Sequence, residues 1–221
     1  MDEANKVFHR TLFLKGAAGR LEALLWTTGA AAPERAALVC HPHPLYGGTL
    51  HNKVVFQAAK SLHAAGMPVL RFNFRGAGLS EGEHDRGRGE QQDVRCAIDY
   101  LAGAFPGLPV VLAGFSFGAW VGLRVGVEDA RVTRLVGIGT PVNDSDFSYL
   151  RGSIKPKLFV VGTEDQFAAR DKVEEMVASL KEPKRLVLVP GADHFFAGKL
   201  DQLDRAITEW MREQLGERQE I

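Results

Sequence analysis

Residues 109–127 read Pro-Val-Val-Leu-Ala-Gly-Phe-Ser-Phe-Gly-Ala-Trp-Val-Gly-Leu-Arg-Val-Gly-Val, the most informative segment of the chain. The apolar run from Pro109 to Ala113 predicts a buried strand, and a helical pattern begins directly after Gly114-Phe115-Ser116-Phe117-Gly118. A strand and a helix that meet at so sharp a turn cross closely, which leaves no room for a Cβ at either glycine. The pattern G-x-S-x-G therefore predicts a nucleophile elbow that exposes the Ser116 hydroxyl. The alternative is an ordinary glycine-rich turn with a solvated serine.

Strand and helix patterns alternate on both sides of this stretch. The first two strands are separated only by Lys15-Gly16-Ala17-Ala18-Gly19, which predicts an antiparallel hairpin. After the hairpin the order strand–helix repeats, and this order predicts an α/β fold, a mostly parallel sheet with helices on both faces. The predicted strands are 6–14, 20–27, 35–40, 67–74, 109–113, 132–138, 157–161 and 185–189, and the helices outside the elbow are 52–65, 90–102, 168–180 and 199–215.

Composition limits the classes of protein to which the chain can belong. The 221 residues include 27 Lys+Arg and 27 Asp+Glu, and this zero net charge gives no support for binding nucleic acid or an anionic membrane. No apolar run approaches the ~20 residues of a membrane span, and no signal peptide is evident. Two cysteines, Cys40 and Cys96, do not make a disulfide framework. We expect a single cytoplasmic domain over residues 1–221, and an edge strand could support a homodimer.

Two later residues follow strands in the order that an elbow nucleophile requires. In an open parallel sheet, sites lie at the carboxyl ends of the strands. Asp165 follows the strand that ends at Val161, and His194 follows the strand that ends at Val189. A serine hydroxyl needs a base to take its proton, and a histidine held by a carboxylate supplies one near neutral pH. We expect Ser116, His194 and Asp165 to be the nucleophile, the general base and the orienting acid.

Other residues compete for the roles of acid and base. Glu164 and Asp193 are sequence neighbours of the two chosen residues, and Asp144 and Asp146 precede them. We expect Asp193 to cap its own loop rather than to orient the histidine. Six other histidines are present, and none of them follows a late strand in the expected order; these are His9, His41, His43, His51, His63 and His84.

The loop after the third strand should complete an oxyanion hole. A tetrahedral intermediate needs a second N–H donor besides that of Phe117 at the start of the elbow helix. The loop reads His41-Pro42-His43-Pro44-Leu45-Tyr46-Gly47-Gly48, and proline has no N–H to donate. The donor is therefore His43, Leu45 or Tyr46; we prefer His43 by its position, with Leu45 next.

A metal site is the competing interpretation of the same loop. His41, His43 and His51 would offer three imidazoles, but no carboxylate or cysteine pattern completes the ligand set. We expect His41 instead to be a buried residue that ties the loop down through backbone hydrogen bonds.

Aromatic residues lie in or beside the loops that carry these groups. Several of them should line an apolar acyl pocket, although packing in the core is the ordinary role of any single phenylalanine. The expected pocket residues are Tyr46, Phe147, Phe167 and Phe195.

Four stretches together resemble the α/β-hydrolase superfamily, and more narrowly the small bacterial hydrolases related to dienelactone hydrolase and the serine aminopeptidases. The stretches are His41-Pro-His-Pro-Leu-Tyr-Gly-Gly-Thr49, Arg71-Phe-Asn-Phe-Arg-Gly76, Ala113-Gly-Phe-Ser-Phe-Gly118 and Gly191-Ala-Asp-His-Phe-Phe196. The resemblance implies an α/β-hydrolase fold with an eight-stranded sheet, no metal or cofactor, and hydrolysis through an acyl-serine intermediate. Dienelactone hydrolase itself uses a cysteine where this chain has Ser116, so ordinary ester cleavage is the expectation.

Many proteins of this superfamily carry a helical cap between the sixth strand and the acid. Only Gly139–Lys155 is available here, which is too short for a lid of several helices and predicts an open cleft. A small, short-chain carboxylic ester is therefore the expected substrate. A thioesterase, a lactonase or a small-peptide hydrolase would use the same three residues, because pocket shape decides among them. A non-catalytic scaffold that binds a ligand or a partner is a further alternative, which the three intact residues disfavour.

Overall fold

The chain opens with a β-hairpin at the edge of the sheet. The computed structural model describes residues 7–28 and 32–216. Strand β1 (Val7–Gly16) pairs antiparallel with β2 (Gly19–Thr28), and the two-residue turn between them is closed by Gly19 with a positive φ of 124°. Such a φ is open to glycine and strained for other residues, which explains why the turn ends there.

Six parallel strands follow the hairpin and carry the site. They are β3 (Ala36–Cys40), β4 (Val69–Phe72), β5 (Val110–Phe115), β6 (Val132–Ile138), β7 (Lys157–Gly162) and β8 (Lys184–Val189). The order across the sheet is β1-β2-β4-β3-β5-β6-β7-β8. Among the described strands, β2 is antiparallel to both of its neighbours, β1 and β4, and the other pairs are parallel. The eight-stranded, mostly parallel sheet predicted from the sequence is confirmed.

Five helices cover the sheet on its two faces. They are α1 (Lys53–Ala64), α2 (Arg88–Ala104), α3 (Phe117–Glu128), α4 (Arg170–Ala178) and α5 (Leu200–Gly216). Alternate side chains of β5 point to opposite faces, so Leu112 packs in the core beneath α2, α3 and α4, whereas Val111 packs in the core beneath α1 and α5. Burial on both faces explains why β3, β5 and β7 are continuous apolar runs rather than alternating ones.

The segment between β6 and β7 contains no helical cap. Residues 139–156 include a single short 3-10 turn, Ser148–Leu150, so the carboxyl end of β5 stays open toward solvent, as expected. Within the two described ranges, no helix combines the length and the apolar character needed to cross a bilayer. Cys40 is buried, Cys96 is half-buried, and both are free thiols.

Candidate active site

The turn between β5 and α3 holds Ser116 in a strained backbone conformation. Ser116 has a φ of 55° and a ψ of −120°, and its N–H donates to the carbonyl of Ile138 at 2.9 Å. A Cβ on Gly114 would collide with the backbone of Gly118, and a Cβ on Gly118 would collide with the carbonyls of Cys40 and His41. The two glycines of the elbow are therefore required by contact, and they let α3 approach β3 and β5 closely enough to place the serine.

Ser116, His194 and Asp165 form one hydrogen-bonded chain. The distance between Ser116 Oγ and His194 Nε2 is 3.0 Å, and His194 Nδ1 lies 2.8 Å and 3.0 Å from the two carboxylate oxygens of Asp165. His194 and Asp165 are buried at 2% and 5% exposure. Because the carboxylate accepts the Nδ1 proton, the lone pair of Nε2 faces the serine hydroxyl. The arrangement can remove a proton from Ser116 and return it to a leaving group.

Two backbone N–H groups beside Ser116 are available for a developing negative charge. In the range 32–216, neither the N–H of Phe117 nor that of His43 donates to another group of the protein. The ring centroids of His43 and Phe117 are 4.8 Å apart with their planes inclined by 55°, so the loop after β3 lies against the start of α3. The N–H of Leu45 donates to His43 Nδ1 at 3.3 Å and that of Tyr46 to the carbonyl of His43 at 3.1 Å. The expectation that Leu45 is a donor is therefore wrong, because the loop folds back on itself and uses that N–H.

A cavity of about 710 Å³ opens above Ser116. Tyr46, Phe167 and Phe195 line it, as expected, together with His194. Phe147 does not: its ring is 3% exposed and packs 5.8 Å from the ring of Tyr149 in the core, so the prediction that it belongs to the pocket is wrong. The sequence reasoning missed several lining residues, which are Asn52, His84, Arg86, Trp120, Asp144 and Ser145.

Comparison with known proteins gives the family. The family model described as serine aminopeptidase, S33, matches residues 33–152, which span β3, the elbow and the loop after β6. The chain belongs to this family of α/β-hydrolases. It is similar to the uncharacterized protein RP471 of Rickettsia prowazekii, with 36% identity in an alignment 210 residues long that covers 90% of this chain and 87% of the relative.

Solved structures similar to this S33-family chain include α/β serine hydrolases and an esterase. XC6422 from Xanthomonas campestris, described as an α/β serine hydrolase without lid, is 34% identical, has a TM-score of 0.86, and is aligned over 95% of this chain and 98% of its own. The esterase Pf2001 of Pyrococcus furiosus, at 16% identity and a TM-score of 0.80, shares the fold over 93% of this chain and 92% of its own.

Two of the competing carboxylates of this hydrolase accept hydrogen bonds from their own loops. Asp193 Oδ1 accepts the N–H groups of Phe195 and Ala197 at 3.1 Å and 2.9 Å, so Asp193 caps the loop that presents His194, as expected. Asp146 accepts the N–H of Ser148 at 2.8 Å, on the far side of the loop after β6. Asp165 is the carboxylate that reaches the imidazole.

His41 ties down the loop after β3. Its Nε2 accepts the N–H of Phe74 at 2.9 Å, which leaves the proton on Nδ1, and this proton is donated to the carbonyl of Pro42 at 2.6 Å. Burial lowers the pKa of His41 to about 3, so the ring is neutral at physiological pH. Both ring nitrogens are occupied, which removes His41 from the alternative metal site. Within the described ranges, no group of three or more His, Cys, Asp or Glu side chains is arranged to hold a metal ion.

Proposed function

We propose that the protein is a carboxylesterase that hydrolyses small, short-chain esters through an acyl-serine intermediate. The observation that carries the proposal is the chain from Ser116 Oγ through His194 to Asp165, with distances of 3.0 Å and 2.8 Å. An imidazole fixed by a carboxylate and aimed at a serine on a strained turn is the arrangement that activates a serine nucleophile. A fold shared with an esterase is compatible with this reaction, but the site carries the argument.

The reaction starts with the transfer of the Ser116 proton to His194 Nε2. Ser116 Oγ bonds to the ester carbonyl carbon, and the π pair of the carbonyl moves to its oxygen, where the N–H groups of Phe117 and His43 stabilise the negative charge. The intermediate collapses, the C–O bond to the alcohol breaks, and the departing oxygen takes the proton from His194. A water molecule then repeats the sequence on the acyl-serine ester and releases the carboxylic acid.

The preference for short acyl chains follows from the shape of the cleft. The cavity of about 710 Å³ is bounded by the exposed rings of Tyr46, Phe167 and Phe195, and no cap extends it above the sheet. A small acyl group can bury most of its surface in such a space. An acyl chain that extends past these rings would leave its end in water, and methylenes that remain in water add no burial free energy.

A series of p-nitrophenyl esters from acetate to decanoate tests both parts of the proposal. We expect kcat/KM to be highest for acetate or butyrate, and Ser116→Ala to lower kcat by about 10⁴-fold or more. The matched control is Ser179→Ala, which changes an exposed serine directly after the end of α4. Its kcat should equal that of wild type. A higher kcat/KM for octanoate or longer esters would refute the chain-length preference, and full activity in Ser116→Ala would refute the nucleophile.

Labelling with a fluorophosphonate separates the remaining outcomes. One outcome is that no ester is hydrolysed, yet the reagent labels wild type and does not label Ser116→Ala. The serine is then an active nucleophile, and thioesters, lactones and peptides are the next substrates to test. If neither protein is labelled, the site does not activate Ser116, and the chain is a non-catalytic scaffold.

A further inference from the structure

Arg86 lies on the wall of the active-site cavity, in the loop between β4 and α2. It has a positive φ of 51°, a conformation that costs free energy for any residue with a side chain. Only two other non-glycine residues in the described ranges have a positive φ: Ser116, the nucleophile candidate, and Phe196, a core residue that follows His194 by two positions. Strain of this kind persists where the surrounding structure imposes it, and it concentrates at functional positions.

A buried carboxylate imposes the conformation of Arg86. Glu90, which is fully buried, accepts the N–H of Asp85 at Oε1 and the N–H of Gly87 at Oε2, both at 2.8 Å. These are the amides on the two sides of Arg86. Glu90 Oε1 also lies 2.8 Å from Nδ1 of His84, a second cavity residue. The backbone that carries Arg86 is thus fixed at both ends, and the loop holds its side chain at the cavity.

The guanidinium of Arg86 is left without a protein anion. In the part of the chain that the structure describes, no carboxylate forms an ion pair with it, whereas Arg75 of the same loop is paired with buried Asp93 at 2.7 Å. A guanidinium presents a planar set of N–H donors that matches a carboxylate in two parallel hydrogen bonds. Arg86 is exposed, its backbone is held beside the cavity, and its guanidinium has no ion-pair partner among the described residues, so it is suited to bind an anion that enters the cavity.

We propose that Arg86 is a specificity-determining residue that binds a carboxylate group of the substrate. The inference rests on the proposed function and narrows it: the substrate is an ester that carries a negative charge away from the bond that is cleaved. Asp144, on the loop after β6, also lines the cavity and would repel an anion. The charge of the substrate therefore has to lie toward Arg86 and His84 rather than toward Asp144.

Two pairs of esters test the proposal and show on which side of the bond the charge lies. The first pair is 3-acetoxybenzoate and its methyl ester, which differ in charge on the leaving group. The second pair is monoethyl succinate and ethyl pentanoate, which differ in charge on the acyl group. We expect wild type to prefer the anionic member of at least one pair in kcat/KM, by about tenfold, as is typical of a hydrogen-bonded charge pair.

Substitution of Arg86 tests whether this residue causes the preference for anionic esters. Asparagine tolerates a positive φ, so Arg86→Asn removes the charge without adding strain. We expect Arg86→Asn to lower kcat/KM for the preferred anionic ester about tenfold more than for its neutral partner, and Arg86→Lys to restore part of the preference. Arg88→Gln, at an exposed position two residues away on α2 and outside the cavity, is the matched control and should keep both the activity and the ratio.

A binding measurement keeps the test independent of catalysis. Calorimetry measures the binding of 3-acetoxybenzoate to Ser116→Ala and to the double variant that also carries Arg86→Asn. We expect the Kd of Ser116→Ala to be about tenfold lower than that of the double variant. The neutral methyl ester should bind both proteins with the same Kd. If wild type hydrolyses neutral and anionic esters equally and Arg86→Asn binds the anion as well as its parent, the proposal is wrong while the esterase function stands. If no ester is cleaved but the difference in Kd is present, Arg86 binds an anion and the reaction has been assigned to the wrong substrate class.

Discussion

At the scale of single residues, His41 shows how a buried side chain links stability to pH. Its pKa is about 3 in the folded protein, against 6.5 for an unperturbed histidine, and desolvation is the main cause. Between these two values the unfolded chain binds a proton that the folded chain does not. The free energy of unfolding should therefore be fully retained above pH 6.5 and should fall as the pH is lowered toward 3, by up to about 1.4 kcal/mol for each pH unit from this residue.

The variant His41→Gln isolates this contribution. It loses a ring that bonds two backbone groups, so we expect it to be less stable than wild type by about 1–3 kcal/mol at pH 8. Because glutamine does not titrate, the difference between the two proteins should shrink as the pH falls from 6.5 to 4.5. Urea unfolding at pH 8, 6.5, 5.5 and 4.5 measures this, with His51→Gln, an exposed histidine, as the control. A difference that is constant with pH would contradict a lowered pKa at His41.

The sequence allowed some residues of the site to be predicted and not others. Ser116, Asp165 and His194 could be identified because each follows a strand, and parallel strands end at one edge of the sheet. The role of Leu45 was not predictable, since it depends on whether the ring of His43 turns back onto its own loop. Arg86 gives no sequence signal, because its strain is imposed by Glu90 through contacts that only the folded chain makes.

At the scale of elements, the close approach of α3 to β3 explains the glycine at position 118. A Cβ there would overlap the carbonyls of Cys40 and His41, which are backbone atoms and have little freedom to move. We expect Gly118→Ala to lower the free energy of unfolding by about 2–4 kcal/mol, in the range of severe steric substitutions, and to lower kcat because the displaced helix carries Phe117.

Gly103 on α2 provides the matched control for this substitution. It is an exposed helical glycine, and a Cβ at this position would meet nothing within 4 Å. Gly103→Ala should stabilise the protein by about 0.5–1 kcal/mol, since alanine favours a helix more than glycine does. Chemical unfolding of both variants checks the pair. Equal effects of the two substitutions would show that helix propensity, and not contact with β3, determines the cost at position 118.

The elements themselves were predictable because their patterns are strong. All eight strands and all five helices occur where apolar runs or helical spacing predicted them, and the bounds differ by a few residues at the ends. β4 and α4 are each four residues shorter than predicted, and β4, predicted as 67–74, is observed as Val69–Phe72. Asn73 leaves the strand because its side chain bonds Leu50 and Glu22, at 2.7 Å and 2.6 Å, and such contacts are not visible in a hydrophobic pattern.

At the scale of the whole molecule, the sheet order brings the site together. The nucleophile follows β5, the loop that carries His43 follows the neighbouring strand β3, and Asp165 and His194 follow β7 and β8. Two cores, one on each face, fix these strands relative to one another. Ser116 and His194, which are distant in sequence, therefore meet within 3.0 Å.

The absence of a helical cap leads to a prediction about how the enzyme responds to aggregated substrate. Where a lid covers the cleft of an enzyme, opening of the lid controls whether substrate can enter. Here residues 139–156 contain only a 3-10 turn, and Tyr46 at the cavity mouth is 86% exposed. The cleft is already open to dissolved ester, so the rate with p-nitrophenyl butyrate should follow a simple hyperbola and should not rise at the solubility limit. Detergent micelles should not activate the enzyme either. An abrupt increase in rate at the solubility limit would show that some segment covers Ser116 in solution.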